Sequence, residues 1–417
     1  MSELRIWGGQ RLYGTLDIQG AKNSVLPILA AVILGRGTSR IENCPQLSDV
    51  SAAVRILEYL GARVEREGTT LTIDTAVLEH YDIPDEMMRE MRSSIIFLGA
   101  ILARLGEAEV SLPGGCELGP RPIDLHLTAL RQLGAEISEC GGTLHCCAAT
   151  LRGAEITLAF PSVGATENAL LAACAAEGTT TISNAAREPE IVDLAAMLNA
   201  MGACIAGAGS SVITVEGKRS LHGCTHRCSA DRIAAATYLC AAAAAGGEVC
   251  VRGIDYRMLS TVTQALRESG CAVTSEQNAV ILRSSGRLHA IRPVRTAPYP
   301  GFPTDAQPVL MAALLKSEGA TVFVENIFEN RYRHVDELAR MGARIRVVGR
   351  VAVVDGRESL RGAKVKCTDL RGGAALVIAA LGAEGESRIT ALEHIERGYE
   401  NLAGNLRTLG AEIAYHT

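Results

Sequence analysis

Cys116 stands in the run Pro113-Gly114-Gly115-Cys116, with Gly119-Pro120-Arg121-Pro122 following. Prolines and glycines on both sides describe a mobile tight loop with a thiol at its tip. A thiol near Arg121 can be an activated acid or nucleophile, because a neighbouring cation favours the thiolate. An ordinary turn that happens to contain cysteine is the plainer reading. Lys22 and Asn23 sit between an alternating strand, Leu12-Gly14-Leu16-Ile18, and a helix with Pro27 in its first turn. A lysine beside a helix N-terminus can hold phosphate or carboxylate, whereas the bland alternative is a capped helix with a solvated lysine. Asp231, Asp305 and Asp369 fall at equivalent places ahead of apolar helices. Each can serve as an N-cap or, beside Lys22, Arg92, Arg121, Arg371 and Arg397, as a general base. His222, Cys224, His226 and Cys228 in HGCTHRC suggest a metal site. Alternate spacing on one strand would spread them over roughly 20 Å, too far to converge on one zinc, so no metal is expected there or at GGTLHCC.

The background makes some of these residues stand out. Of 417 residues, 41 are basic, and only Lys22, Lys218, Lys316, Lys364 and Lys366 are lysine. The formal net charge of −5 and the lack of a basic stripe argue against a nucleic-acid partner, while a local cationic cluster can still bind a small anion. No stretch approaches the roughly 18 apolar residues needed to cross a bilayer. The start, MSELRIWGGQ, has no apolar signal core, and thirteen cysteines without such a signal point to a reducing cytoplasm. No P-loop or dinucleotide fingerprint follows the first strand, so no cofactor is expected.

The elements that must position these residues repeat. LGARVE, LGAEIS, MGACIA, SGCAVT, MGARIR and LGAEIA place glycines at 61, 134, 202, 270, 342 and 410. Each phrase follows an amphipathic helical pattern and precedes an alternating run, which reads as helix, glycine cap and strand. A second glycine marker, 23 to 28 residues upstream, ends a more apolar helix and opens a strand such as TTTISN. The chain is thus six units, each a strand, a buried helix, a strand, a second helix and further strands. A polar knot precedes every apolar helix: GAKNS, MRSS, PSVGATEN, SADR, PTD and TDLR. Such residues suit N-caps, and helix N-termini suit anions. The stretch 218–228 is the candidate crossover between two triplets, and the first strand is free to pair with the last units.

GAKN, MRSS, PGGCELGPRPIDLH, FPSVGATEN, NAAREPEIVDL, FPTD, FENRYRHVDEL, TDLR and HIERGYE run collinearly from end to end. Together they resemble the UDP-N-acetylglucosamine 1-carboxyvinyltransferases, enolpyruvyl transferases of the EPSP synthase superfamily. The resemblance implies an α/β fold of two inside-out domains, each of three βαβαββ repeats around buried helices. Residues 22–229 would form the domain with the cysteine loop, 1–21 plus 230–417 the second, and the active site would lie in the cleft between them. It implies transfer of the enolpyruvyl group of phosphoenolpyruvate to the 3′-hydroxyl of UDP-N-acetylglucosamine through a tetrahedral ketal, with release of phosphate, in the cytoplasmic synthesis of peptidoglycan precursors. The two substrates are then the partners, without a metal, cofactor or membrane insertion.

Carried onto matching positions, Cys116 would protonate the methylene carbon of phosphoenolpyruvate, and would be the site of a covalent phosphoenolpyruvate or fosfomycin adduct. Asp305 would take the sugar hydroxyl proton. Lys22, Arg121 and Arg397 would hold phosphate and carboxylate, with Arg92, Asp369 and Arg371 nearby. Asn23, Arg121, Pro122, Ile123, Asp124, Leu125, Ser162, Val163, Gly164 and Ile327 would contact the nucleotide sugar, with Arg331 also in the substrate site. Two departures stand out: Ala234 where the family usually shows Glu, and Phe160 where some members carry Lys. The shikimate-pathway enolpyruvyl transferases are the nearest alternative and a non-catalytic repeat scaffold the next. The PGGC loop and GATEN speak against the first, and intact Lys22, Cys116, Asp305 and Arg397 against the second.

Overall fold

The computed structural model describes residues 3–112, 123–217 and 220–416. These divide into two compact units, one built from residues 20–229 and the other from 3–19 with 230–416. Each has its own hydrophobic core.

Within the 20–229 unit three apolar helices, Lys22–Ala31, Phe97–Leu105 and Val163–Ala173, are buried, and the amphipathic helices Ser48–Tyr59, Asp124–Gln132 and Pro189–Ala200 each follow one of them. Three four-stranded sheets share one plan. In the second, Asp82–Ile83 runs parallel to Glu107–Ser111, which pairs antiparallel with the hairpin Glu136–Cys140 and Thr143–Cys147. The third orders Glu155–Thr157, Thr179–Ser183, Val212–Glu216 and Cys204–Ala206 in the same way. In the first, the parallel edge beside Thr38–Glu42 is Thr225–Arg227, borrowed from the far end of the unit.

The other unit repeats the plan around Arg232–Ala245, Gln307–Ala313 and Leu370–Leu381. Alanine dominates the first of these and lets neighbouring helices approach closely at no cost in helix propensity. Two of its sheets take strands from the chain's beginning. Leu12–Asp17 runs parallel to Gly247–Arg252. Glu3–Trp7 lies between Glu386–Thr390 and Glu412–His416, antiparallel to both, with Ile6 opposite Ser387 and Ile413.

The six phrase glycines all have positive φ, from 90° to 108°, which glycine adopts without strain. Each lies two residues beyond the end of a helix, in a double hydrogen-bonded turn. At the first, Gly61 donates to Glu58 and Ala62 to Leu57; at the last, Gly410 donates to Arg407 and Ala411 to Leu406.

Three expectations need correction. HGCTHRC is two short strands in different sheets rather than one, Leu221–His222 beside Gly35–Arg36 and Thr225–Arg227 beside Thr38–Glu42. The break falls at Gly223, where an added Cβ would stand 2.0 Å from the Thr38 carbonyl oxygen. Pro27 lies beyond the first turn, inside a helix that begins at Lys22. The knots also do not all cap. Ser162, Asp231 and Asp369 accept hydrogen bonds from the first free N–H groups of their helices. At the knots containing Lys22, Arg92 and Asp305 no side chain does so.

Candidate functional site

The uncapped knots free polar side chains for other partners. Asp305 lies in a 3₁₀ turn, Thr304–Ala306, which leads into a helix with Pro308 at its start. The amides of Ala306 and Gln307 are satisfied by the carbonyls of Pro303 and Thr304, and Pro308 has no N–H, so the helix start leaves little for a side chain to cap. The Asp305 carboxylate instead meets two arginines. Arg331 Nη2 donates to Oδ1 at 3.0 Å and Arg371 Nη2 to Oδ2 at 3.1 Å.

Both arginines are buried, and Arg331 is the largest fully buried side chain among the described residues. Buried charge needs partners. Arg331 also donates to the Thr304 carbonyl, stands 4.0 Å from Asp369 and has its guanidinium 5.6 Å from the Phe328 ring centre. Arg371 lies over Tyr399, 5.5 Å from its ring centre. Burial works against its charge, yet Asp305, Tyr399 and Asp231 outweigh that and hold its pKa above the usual guanidinium range. Asp369 spends Oδ1 on the amides of Arg371 and Gly372, while Oδ2 accepts from the Thr368 hydroxyl. Beside it His334 is fully buried, and burial pushes its pKa down to about 4, so it is neutral at pH 7. Ile327 and Arg397 are half-buried in the same unit.

In the 20–229 unit, Lys22 is not solvated. Its ammonium makes a 2.7 Å ion pair with Asp49, which is 2% exposed, in the first turn of the Ser48–Tyr59 helix. Asn23 beside it is half-buried. Ser162 caps its helix through Ala165 N, and Val163 and Gly164 form that helix's first turn. Gly164 must be small, because a Cβ there would stand 2.9 Å from the His126 ring. His126 Nδ1 lies 2.8 Å from Asn168 Nδ2, an amide donor, so the ring proton belongs on Nε2. Burial, opposed by nearby Asp124, lowers the His126 pKa to about 4. Asp124 is exposed at the start of the same helix, with Ile123 and Leu125 half-buried beside it.

Cys116, Arg121 and Pro122 lie outside the described residues, as does the side chain of Arg92. Ala234 is fully buried with its amide bonded to Asp231, and Phe160 is exposed. His226 of HGCTHRC pairs with Asp193 at 2.9 Å. Burial raises the Asp193 carboxyl, but hydrogen bonds from His226 and Ser229 win and hold it below its ordinary value. Among the described residues no group of three or more His, Cys, Asp or Glu is arranged for a metal, and no helix is long and apolar enough to cross a membrane. Sequence reasoning missed Asp49, Asp193 and Tyr399. Asp49 leaves a trace as an acid in the first turn of an amphipathic helix, while Asp193 and Tyr399 lie inside motifs that carry the resemblance but show nothing of their partners.

The sequence pattern of the EPSP synthase (3-phosphoshikimate 1-carboxyvinyltransferase) family matches residues 6–406. UDP-N-acetylglucosamine 1-carboxyvinyltransferase 2 of Caldanaerobacter subterraneus subsp. tengcongensis is 49% identical over 413 residues, 99% of either chain. The UDP-N-acetylglucosamine 1-carboxyvinyltransferase of Acinetobacter baylyi is 47% identical over 414 residues, again 99% of each. The crystal structure of the enolpyruvyl transferase NikO from Streptomyces tendae superposes with a TM-score of 0.91 at 27% identity, covering 100% of this chain and 99% of that one. EPSP synthase from Acinetobacter baumannii, at 19% identity, a TM-score of 0.78 and full coverage of both chains, shares the fold. Repeat plan, sheet order and full-length likeness agree: the chain belongs to the EPSP synthase family, in its UDP-N-acetylglucosamine 1-carboxyvinyltransferase branch.

Proposed function

We propose that this protein transfers the enolpyruvyl group of phosphoenolpyruvate to the 3′-hydroxyl of UDP-N-acetylglucosamine, releasing phosphate. The observation that carries the choice of acceptor is the 49% identity to a relative of that name over 99% of both chains. The reaction adds the hydroxyl oxygen to C2 of phosphoenolpyruvate while C3 gains a proton from Cys116 and Asp305 takes the hydroxyl proton. The tetrahedral ketal then loses phosphate from C2 and a proton from C3, leaving the enolpyruvyl ether. Lys22, Arg121 and Arg397 hold the anionic groups, with Arg92, Arg371 and Asp369 nearby. Asn23, Ile123, Asp124, Leu125, Ser162, Val163, Gly164, Ile327 and Arg331 shape the rest of the substrate site with Pro122.

A net-acidic chain must concentrate its cations to bind a multiply anionic substrate, and arginine forks suit carboxylate and phosphate. The arginine pair on Asp305 has a chemical consequence. An incoming anionic substrate competes with Asp305 for Arg371 and loosens the hold on the carboxylate. This reaction opens peptidoglycan precursor synthesis in the cytoplasm.

A coupled phosphate-release assay with each acceptor offered separately tests the assignment: turnover with UDP-N-acetylglucosamine is expected, and turnover only with shikimate 3-phosphate overturns it. Fosfomycin, a phosphoenolpyruvate mimic, is expected to add to Cys116. Intact mass should show one adduct in the native protein and none in Cys116→Ser, while Cys116→Asp keeps an acid and escapes alkylation.

A further inference from the structure

We infer that Glu325 is a positioning residue that holds Asp305 and the backbone at Ile327 at a fixed spacing, so that gripping the acceptor sugar and placing the group that takes its proton are set by one carboxylate. This rests on the roles just proposed for Asp305 and Ile327. Glu325 directly follows the strand Ala320–Val324, is 1% exposed, and divides its oxygens between two segments. Oε1 accepts from Ile327 N at 2.8 Å and Phe328 N at 3.0 Å; Oε2 accepts from the Thr304 hydroxyl at 3.0 Å. Thr304 directly precedes Asp305.

A second path runs between the same two segments. Arg331 donates to the Thr304 carbonyl and to Asp305, and its guanidinium lies against the Phe328 ring. The contacts close a ring from Glu325 through Thr304, Arg331 and Phe328 back to Glu325. Asn326 is fixed separately, its amide on Thr296 Oγ1 at 2.8 Å and its side chain on the Thr296 carbonyl at 3.0 Å, so the turn has little freedom to drift. Three donors on one buried carboxylate leave it satisfied, and deleting it strands all three. Displacing a substrate-positioning group by about 1 Å can cost about a hundredfold in rate.

Steady-state kinetics with both substrates separate this from a folding role. Glu325→Ala is expected to raise the KM for UDP-N-acetylglucosamine about tenfold and lower kcat about tenfold, with the KM for phosphoenolpyruvate within about twofold. Glu325→Gln is expected to recover most of both, since an amide oxygen still accepts from Ile327 and Phe328 while Thr304 turns to accept from the amide nitrogen. Thr304→Val, which removes one bond without changing shape, should lower kcat about threefold or more with little change in either KM, and it tests the idea if the alanine variant fails to fold. An unchanged KM for the nucleotide sugar in Glu325→Ala, a glutamine variant as impaired as the alanine one, or wild-type kcat in Thr304→Val would each overturn the inference. Wild-type protein is assayed first. No turnover of UDP-N-acetylglucosamine there defeats the proposed activity, whereas normal turnover with unaffected Glu325 variants defeats only the positioning role.

Discussion

Asp305 and its repeat counterparts Asp231 and Asp369 occupy one place in the architecture and are used in opposite ways. Asp231 and Asp369 turn their carboxylates to backbone amides, at 2.8 to 3.0 Å, and start their helices. Asp305 leaves the helix start to a 3₁₀ turn and Pro308, keeps 27% of its side chain exposed, and faces arginine side chains. The three-residue signature is similar, and the difference lies downstream: TDAQP carries a proline where SADRIA and TDLRG do not. A polar residue ahead of a helix is structural when the helix needs it, and available for chemistry when the backbone has already been satisfied.

The largest effect that tests this contrast is expected at Asp305. Asp305→Asn keeps size but cannot take a proton, and kcat should fall by about 10²- to 10⁴-fold, the usual worth of a general base. Phosphate release measures it, and a loss below about tenfold would put the acceptor elsewhere. Next in size is Lys22, at another uncapped knot. Lys22→Ala should raise the KM for phosphoenolpyruvate by about 10- to 100-fold, as for loss of a charge-assisted hydrogen bond, and leave nucleotide-sugar affinity nearly unchanged. Equal losses for both ligands would refute its assignment to the phosphate.

A capped helix handles charge in a third way, by burying it uncharged. On the helix that Ser162 caps, Glu167 has its pKa pushed from 4.5 up to about 8 by burial and then by Glu190 and Glu188. The folded protein therefore keeps a proton that the unfolded chain releases, so this contribution is full below pH 4.5 and is lost as pH rises toward about 8. Glu167→Gln lacks the dependence, and its melting temperature should gain on wild type between pH 5 and pH 8. A constant difference across that window would show that Glu167 is ionised in the fold. The smallest effect belongs to a cap: Asp231→Ala should cost about 1 kcal/mol in urea unfolding. If it instead lowered kcat as much as Asp305→Asn with unchanged stability, the contrast between the knots would disappear.

What could be read from the chain follows from range. The six repeats were legible because each glycine phrase is a local device, a helix stop and a strand start within six residues. Lys22 stood out through scarcity, capping was one of two readings left open for Asp231, Asp305 and Asp369 alike, and only the family resemblance singled out Asp305. Their partners were not legible. Arg331 and Arg371 lie 26 and 66 residues from Asp305, and no periodicity relates side chains brought together from different turns and helices. Asp49 shows only as a first-turn acid, and Glu325 looks like any residue at a strand's end. HGCTHRC misled as a single strand because the break at Gly223 comes from the Thr38 backbone, a neighbour far away in sequence.

The placement of Glu3–Trp7 sets an order of events during synthesis. That strand is interior to its sheet, between 386–390 and 412–416, so it has no complete seat until both of those partners have been made. The described four-stranded sheets of the 20–229 unit draw all their strands from within it, and the sheet of Thr38–Glu42 can close once Thr225–Arg227 emerges. Residues 3–7 are thus among the last of their unit to settle, and removing them would take out the middle of a sheet rather than an edge.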